Sequence, residues 1–353
     1  MKKQKKNKIV FIIFGFSKKN LRSQPWYTVN KLSENYASKY DVNIFTDVNN
    51  NYSSKYNIIK IDKLFNFFLP TNELIKKIES LNPKKIFVVI GSHEILLFTR
   101  FKNFKNLNLI IGNNRFKIHE ILRVNFYDFF KEFKLLIIPI FASLIPGFFL
   151  RLGFNLIGNS KILYLSKEAQ TRYSKLGLPK GNIFMPLKKI QCKKKIFSKL
   201  KNKKIILTYF GPPLNLRGLD IVMNAFETLS KIKNNIFLNL YVRNKKEDYL
   251  KNRMLNLEKK INKSNFKNKI NLDTNYYSHK SLQKKIKQST LIILPFKITI
   301  SDTPLVIYEA TYTKIPLFVL NTPGVTENVK GTNSHICKNQ KDLISKILKY
   351  ISE

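Results

Sequence analysis

The chain has 353 residues, 44% of them hydrophobic, which is enough for two domain-sized cores and excludes a single small domain. Its 64 Lys and Arg against 22 Asp and Glu give a formal charge of +42, which suits an anionic partner or reflects a general drift of the composition toward Lys. The lysines spread over every segment rather than clustering, so charge alone assigns no nucleic-acid face.

The N-terminus, MKKQKKNKIVFIIFGF, opens on a basic stretch and a short apolar run. That run meets no small-residue cleavage site, so Lys8–Phe14 reads as a first buried strand and no secretion is expected. Apolar runs followed by turns and amphipathic stretches then recur at Val42–Thr46, Lys85–Ile90, Leu107–Ile111, Ile162–Leu165 and Ile183–Met185. The second half repeats the pattern at Lys204–Thr208, Phe237–Val242, Lys269–Leu272, Leu291–Leu294 and Leu317–Leu320. This βα alternation predicts an α/β chain of two Rossmann-like units with parallel sheets covered on both faces. The boundary falls near 190, inside the charged stretch Lys188–Lys195, giving domains over 1–190 and 191–353 with the last helix a candidate to pack back on the first domain. Only the first eight residues and a stretch near 187–203 are polar enough to be loose. Cys192 and Cys337 are too few for a disulfide framework and lack zinc spacing, which fits a reducing compartment.

One segment breaks the pattern. Leu135–Leu150, LLIIPIFASLIPGFFL, carries no charge and follows the aromatic run Phe126, Tyr127, Phe129, Phe130 and Phe133. It falls short of the roughly 20 residues that span a bilayer and is broken by Pro139 and Pro146. Flanked by Lys131, Lys134 and Arg151, it reads either as an interfacial anchor on an anionic membrane or as a helix packed into the first domain.

Two segments of the second half carry chemistry. In Leu207–Phe226, a strand runs into Gly211, a Pro-rich loop, Arg217 and Gly218, and then a helix. A basic side chain at a loop-to-helix junction suits a phosphate. In Leu291–Val329, a strand is followed by Ser301, Asp302, Thr303 and Pro304, and a helix from about Leu305. Pro304 is suited to a first helical turn and Ser301 or Asp302 to its cap, leaving the N–H groups of Leu305 and Val306 open to a diphosphate. Glu309 lies one turn on, where its carboxylate can accept ribose hydroxyls.

These two segments resemble the retaining GT-B glycosyltransferases of family 4. Arg217-Gly218 matches the family's basic residue at the donor diphosphate, and Glu309-Ala310 matches the second Glu of its Glu-x7-Glu motif, which holds the ribose. Ile315–Val319 matches the strand that follows, and Thr322–Glu327 the family's Gly-Gly-x-x-Glu turn. Two positions depart from the pattern: Ser301 stands where the first Glu belongs, with Asp302 beside it, and Pro212 stands where a basic residue often follows the glycine. The resemblance implies a GT-B architecture of two Rossmann-like domains facing across a cleft, with Gly15 of the first loop near the donor phosphates and His93 at the reaction centre. It implies a nucleotide-sugar donor bound by Gly15, Gly211, Arg217, Ser301, Asp302, Pro304, Leu305, Val306 and Glu309, with Arg217 and His93 the catalytic candidates. It implies retention too.

No Asp-x-Asp pattern or metal-ligand cluster is visible, so neither metal nor cofactor is expected. The function so implied is transfer of a sugar to a lipid-linked or polysaccharide acceptor, in the cytoplasm and peripheral at the inner face of the cell membrane, without nucleic acid. Two alternatives stand beside it: a catalytically silent GT-B scaffold, which Ser301 favours, and a basic nucleic-acid-binding protein, for which interleaved basic and aromatic residues are lacking. His119, His279 and His335 show no partner pattern and read as structural.

Overall fold

The structure is a computed structural model that describes residues 6–21, 23–49, 54–66, 69–104, 106–112, 115–122, 124–158, 160–185, 204–243, 248–301 and 304–352. The stretch read as a linker, Lys188–Lys195, lies outside these residues, as do Cys192 and Asp302. The chain forms two compact units: Met1–Phe116 with Ile137–Lys188 and Ile300–Thr303, and Lys117–Leu136 with Lys189–Thr299 and Pro304–Glu353.

In the first unit, strands β1 (Lys8–Ile12), β2 (Asp41–Thr46), β3 (Asn57–Lys60), β4 (Lys85–Ile90), β5 (Leu107–Ile111), β6 (Lys161–Tyr164) and β7 (Asn182–Ile183) form one sheet. Their order is β3-β2-β1-β4-β5-β6-β7, with all pairings parallel. Alternate residues of β1 supply two cores: Val10 and Ile12 pack with Leu150, Phe154 and Ile157 on one side, while Ile9 and Phe11 pack with Val29 and Leu32 on the other. A strand buried on both faces reads as a continuous apolar run, which is why the sequence exposes it.

In the second unit, β8 (Ile205–Gly211), β9 (Ile236–Val242), β10 (Ile270–Asp273), β11 (Leu291–Ile293), β12 (Leu317–Leu320) and β13 (Ser334–Cys337) run in the order β10-β9-β8-β11-β12-β13, again parallel. Parallel neighbours need crossovers, and helices supply most of them. In chain order these are α1 (Trp26–Ala37), α2 (Asn72–Leu81), α3 (Phe126–Lys131), α4 (Phe133–Leu144), α5 (Gly147–Ile157), α6 (Lys167–Ser174), α7 (Leu219–Ile232), α8 (Asp248–Asn262), α9 (His279–Ile286), α10 (Leu305–Tyr312) and α11 (Gln340–Ser352). Helix α7 buries Leu219, Val222, Met223, Phe226 and Leu229, spaced for one face, and carries Asp220 in its first turn and Lys231 in its last.

The architecture is the expected α/β pair of Rossmann-like units, with differences in detail. Strand β1 ends at Ile12, two residues before Phe14. Strands β3 and β13 were not expected: β3 (NIIK) and β13 (SHIC) are short edge strands, so neither shows a long apolar run. Helix α11 sends Leu343, Ile347 and Ile351 into the core of the second unit. A single cut near 190 also splits the chain too simply, since 117–136 counts with the second unit. Its Asp128 and Glu132 are ion-paired there to Lys297 and Arg253.

The uncharged segment Leu135–Leu150 is divided between α4 and α5, which bend by 83° across a short break. No single helix among the described residues is long and apolar enough to cross a membrane. Leu136, Ala142 and Leu150 are buried while Ile138, Phe141, Leu144 and Phe148 are exposed, so the segment is part core and part open apolar surface.

Phe226 is fully buried, with its ring edge-on to Phe266 at 6.3 Å. Phe226→Ala is expected to destabilise the second unit by about 3–5 kcal/mol, read as a lower guanidinium midpoint at unchanged slope.

Candidate functional site

In an open parallel sheet the loops at the carboxyl ends of the strands diverge where strand order reverses, and this leaves a crevice for ligands. The orders above put that point between β1 and β4 in the first unit and between β8 and β11 in the second. The first unit's loops carry Gly15 and His93, and the second unit's carry Gly211, Arg217 and the approach to α10.

The second unit has the more developed site. Strand β8 ends at Gly211, the chain makes a 3-10 turn at Asn215–Arg217, and Gly218 begins α7 with φ +74. The buried Tyr209 hydroxyl donates to the Pro212 carbonyl at 2.9 Å, which holds the Pro-rich loop against the strand end. Burial pushes that phenol up, so it stays a donor at any ordinary pH.

The loop that leaves β11 is bonded directly onto this turn. Lys297 N–H donates to the Leu216 carbonyl at 2.9 Å, and the Arg217 guanidinium lies over the Phe296 ring at 5.4 Å. Such a cation–π contact contributes about 0.5–2 kcal/mol and fixes the plane of the guanidinium. A Cβ on Gly211 would lie 3.2 Å from Arg217 Nη1, so the glycine leaves room for the arginine head. A Cβ on Gly218 would fall 2.0 Å from the Pro295 carbonyl oxygen, which no side chain can accommodate. The Lys297 ammonium is nearly buried between Asp128 at 2.5 Å and Asp220 at 2.7 Å, and Asn215 Nδ2 donates to the other oxygen of Asp128 at 2.7 Å. Breaking such a pair from one side typically costs about 3–5 kcal/mol, because the remaining charge stays buried.

Helix α10 starts at Leu305 with Pro304 as its N-cap and no side-chain cap. This corrects two expectations. Ser301 does not cap the helix, and Pro304 precedes the first turn instead of occupying it. Ile307 N–H is taken by the Pro304 carbonyl at 3.0 Å, whereas Leu305 and Val306, both half-buried, have no protein acceptor for their amides among the described residues. Two adjacent N–H groups at the positive end of a helix form an anion site. The Tyr308 hydroxyl donates to Asn328 Oδ1 at 2.6 Å and Asn328 Nδ2 to the Gly324 carbonyl, so the turn after β12 braces α10. Thr322 and Thr299 tie that turn to the β11 loop through the Phe296 and Pro323 carbonyls.

The Glu309 side chain, on the same helix and mostly buried, is bonded at Oε1 by His279 Nδ1 at 3.1 Å. Gln283 holds the other ring nitrogen at 3.0 Å. His279 therefore has a partner pattern after all, one turn-to-helix contact away from the expected ribose ligand. The sequence hid it because His279 and Glu309 are 30 residues apart on different crossovers. His335 is structural as expected, stacked on Phe318 at 4.4 Å.

In the first unit, Gly15 has φ +61 and donates its N–H to Asp47 at 2.6 Å, while its carbonyl accepts from Asn20. The glycine is where the sequence places it, yet its amide is already used and is not free for a phosphate. His93 follows β4 on the 3-10 helix Ser92–Asn103, half-buried, with no bond to Nδ1. The N-cap of that helix is Gly91, whose N–H donates to the Glu94 carboxylate at 2.5 Å. Burial pushes the Glu94 carboxyl up against the lowering effect of this bond. Among the described residues no three His, Cys, Asp or Glu side chains gather as a metal-ligand set.

No family model and no curated protein sequence matches the chain. Solved structures do. HepE of Anabaena, in complex with UDP and glucose, superposes with a TM-score of 0.61 at 12% identity over 98% of this chain and 90% of its own. Sucrose-phosphate synthase from Thermosynechococcus elongatus reaches 0.66 at 12% identity, covering 99% and 90%. WaaG, a glycosyltransferase involved in lipopolysaccharide biosynthesis, reaches 0.60 at 10%, covering 98% and 90%. The fold is GT-B. At this identity the likeness is one of fold, and the chemistry must be argued from the residues. In this GT-B chain, sequence reasoning missed Asp128, Lys297 and His279. The one available signal was Lys297, a charge set within the otherwise apolar run Leu291–Ile300.

Gly218 and Gly331 share positive φ values, +74 and +82, but a Cβ on Gly331 meets nothing within 4 Å. Gly331→Ala should cost about 1–2 kcal/mol for its left-handed backbone. Gly218→Ala should cost about 1–3 kcal/mol more through overpacking, and paired denaturant titrations measure the difference.

Proposed function

We propose that the chain transfers a sugar from a nucleotide-diphosphate donor to a lipid-linked or surface-glycan acceptor, with retention at the anomeric carbon. One observation carries this reading. At the switch point of the second sheet, Arg217, the two open amides of Leu305 and Val306, and Glu309 supply a cation, a helix N-terminus and a carboxylate. These are the groups that a nucleoside diphosphate calls for: two for phosphates and one for ribose hydroxyls. Gly211 and Pro304 shape the backbone around them, and Ser301 and Asp302 fall where the resemblance puts the sugar.

In the reaction the bond between the anomeric carbon and the diphosphate oxygen breaks. The acceptor hydroxyl bonds to that carbon on the same face, and its proton passes to the departing diphosphate. Charge builds on the diphosphate as it leaves, so Arg217 and the α10 amides act mainly in the transition state. The first unit would supply the acceptor side, with His93 at the reaction centre and Gly15 close to the donor. No metal or cofactor takes part.

The open apolar surface of α4 and α5 supports a peripheral place on an anionic membrane at the cytoplasmic face, reached through 135–150. A silent scaffold is the second reading, favoured by Ser301 in the carboxylate position.

Purified protein should bind UDP or GDP and turn over a nucleotide sugar. Arg217→Ala and Glu309→Ala should each weaken nucleotide binding by about tenfold or more, the worth of a charged hydrogen bond, as measured by calorimetry. Binding without transfer to any acceptor would favour the scaffold, and binding of no nucleotide would end both readings. EDTA should leave the rate unchanged.

A further inference from the structure

The segment 117–133 in the second unit has two unlike faces. Ile118, Leu122, Phe126, Tyr127, Phe130 and Phe133 are between 42% and 78% exposed. The rings of Phe126, Phe129, Phe130 and Phe133 pack in a ladder with centroids 4.5 to 5.8 Å apart. Exposed apolar side chains gathered in this way mark an interaction surface. Lys117 and Lys134 flank it, both exposed.

The opposite face is inward and acidic. Asp128 and Glu132 stand one helical turn apart and are 1% and 2% exposed. Asn125 caps α3 by accepting Asp128 N–H at 2.7 Å, which starts the helix in the register that turns both carboxylates inward. Asp128 holds Lys297 and the Asn215 side chain. The Asn215 backbone N–H is directed at Glu132, whose second partner is Arg253 of α8 at 3.2 Å. Asn215 belongs to the turn that ends in Arg217, and Lys297 follows the Phe296 ring on which Arg217 lies. One short helix thus has exposed aromatics on one side and, on the other, a grip on both loops of the anion site.

We propose that 118–133 docks on an anionic bilayer, and that the Asp128 bonds to Lys297 and Asn215 couple this docking to the donor loops, so that the membrane-bound chain holds nucleotide more tightly. The coupling rests on the donor-site reading above. The docking does not. Exposed aromatics beside lysines, in a chain of net charge +42, complement an anionic lipid surface. An isolated helix of α3's six residues is marginal in water, and burying its apolar face in lipid stabilises it. The loops held by Asp128 are then ordered before the nucleotide arrives, which removes part of the cost of binding.

The experiment uses the full chain with phosphatidylcholine vesicles, with and without phosphatidylglycerol. Flotation is measured first, and then UDP affinity with and without lipid. Wild type should float with the anionic vesicles only, and these should tighten UDP binding by at least about fivefold; by linkage UDP should strengthen vesicle binding by the same factor. The surface variant Phe126→Ser/Tyr127→Ser/Phe130→Ser should bind anionic vesicles at least about tenfold more weakly than wild type, what remains being the share of 135–150, with the lipid-free UDP affinity of wild type; vesicle binding equal to wild type overturns the docking. Asp128→Asn should still float but lose the lipid effect on UDP. Failure of wild type to float, or self-association through this face instead, overturns the docking. Flotation with unchanged UDP affinity, or a lipid effect that survives in Asp128→Asn, overturns the coupling. If no nucleotide binds even without lipid, the donor-site reading and the coupling fail together, and flotation still decides the surface.

Discussion

The close approach of Gly218 to the Pro295 carbonyl holds the second unit's site together. With no room for even one carbon between the turn after β8 and the loop after β11, the two strand ends behave as a single platform. Everything placed on that platform follows from the approach. The Leu216 carbonyl reaches Lys297 N–H, Phe296 slides under Arg217, and the braces through Thr322 and Thr299 carry the geometry on toward α10. A glycine is needed twice over, once for its backbone angle and once for its missing side chain.

The electrostatics of the platform are arranged around one buried cation. Lys297 is outweighed by its two carboxylate partners, Asp128 and Asp220, while the Arg217 guanidinium lies over the Phe296 ring of the same platform. The open amides of Leu305 and Val306 add a fixed positive end that needs no titratable group. Dipoles fixed in this way are already oriented toward any anion that arrives.

The reading from residues succeeded where the signal is local. Strands buried on both faces announce themselves as apolar runs, so β4, β5 and β12 match expectation to the residue, while the short edge strands β3 and β13, without such runs, passed unseen. The strand end at Gly211, the turn at Gly218 and the start of α10 after Pro304 were legible because glycine, proline and a helix start punctuate a chain in recognisable ways. What those residues bond to was not legible. Gly15 looked like an open phosphate loop, yet its amide belongs to Asp47. Ser301 looked like a cap, yet Pro304 holds the N-cap position ahead of Leu305 and offers no side-chain cap.

The sequence by itself determined the two βα-repeating halves, the order of their elements and the positions of the loop that follows Gly211 and the loop that leads to Pro304. These follow from the hydrophobic period and from backbone-restricting residues, both of which act over a few positions. Only the tertiary structure decided that Glu309 would meet His279 across 30 residues, that Asp128 would meet Lys297 across 169, and that 117–136 would leave the first half to join the second unit. Pairings of that range depend on which crossovers the parallel sheets bring side by side, and a charge in a linear sequence carries no mark of the partner it will find.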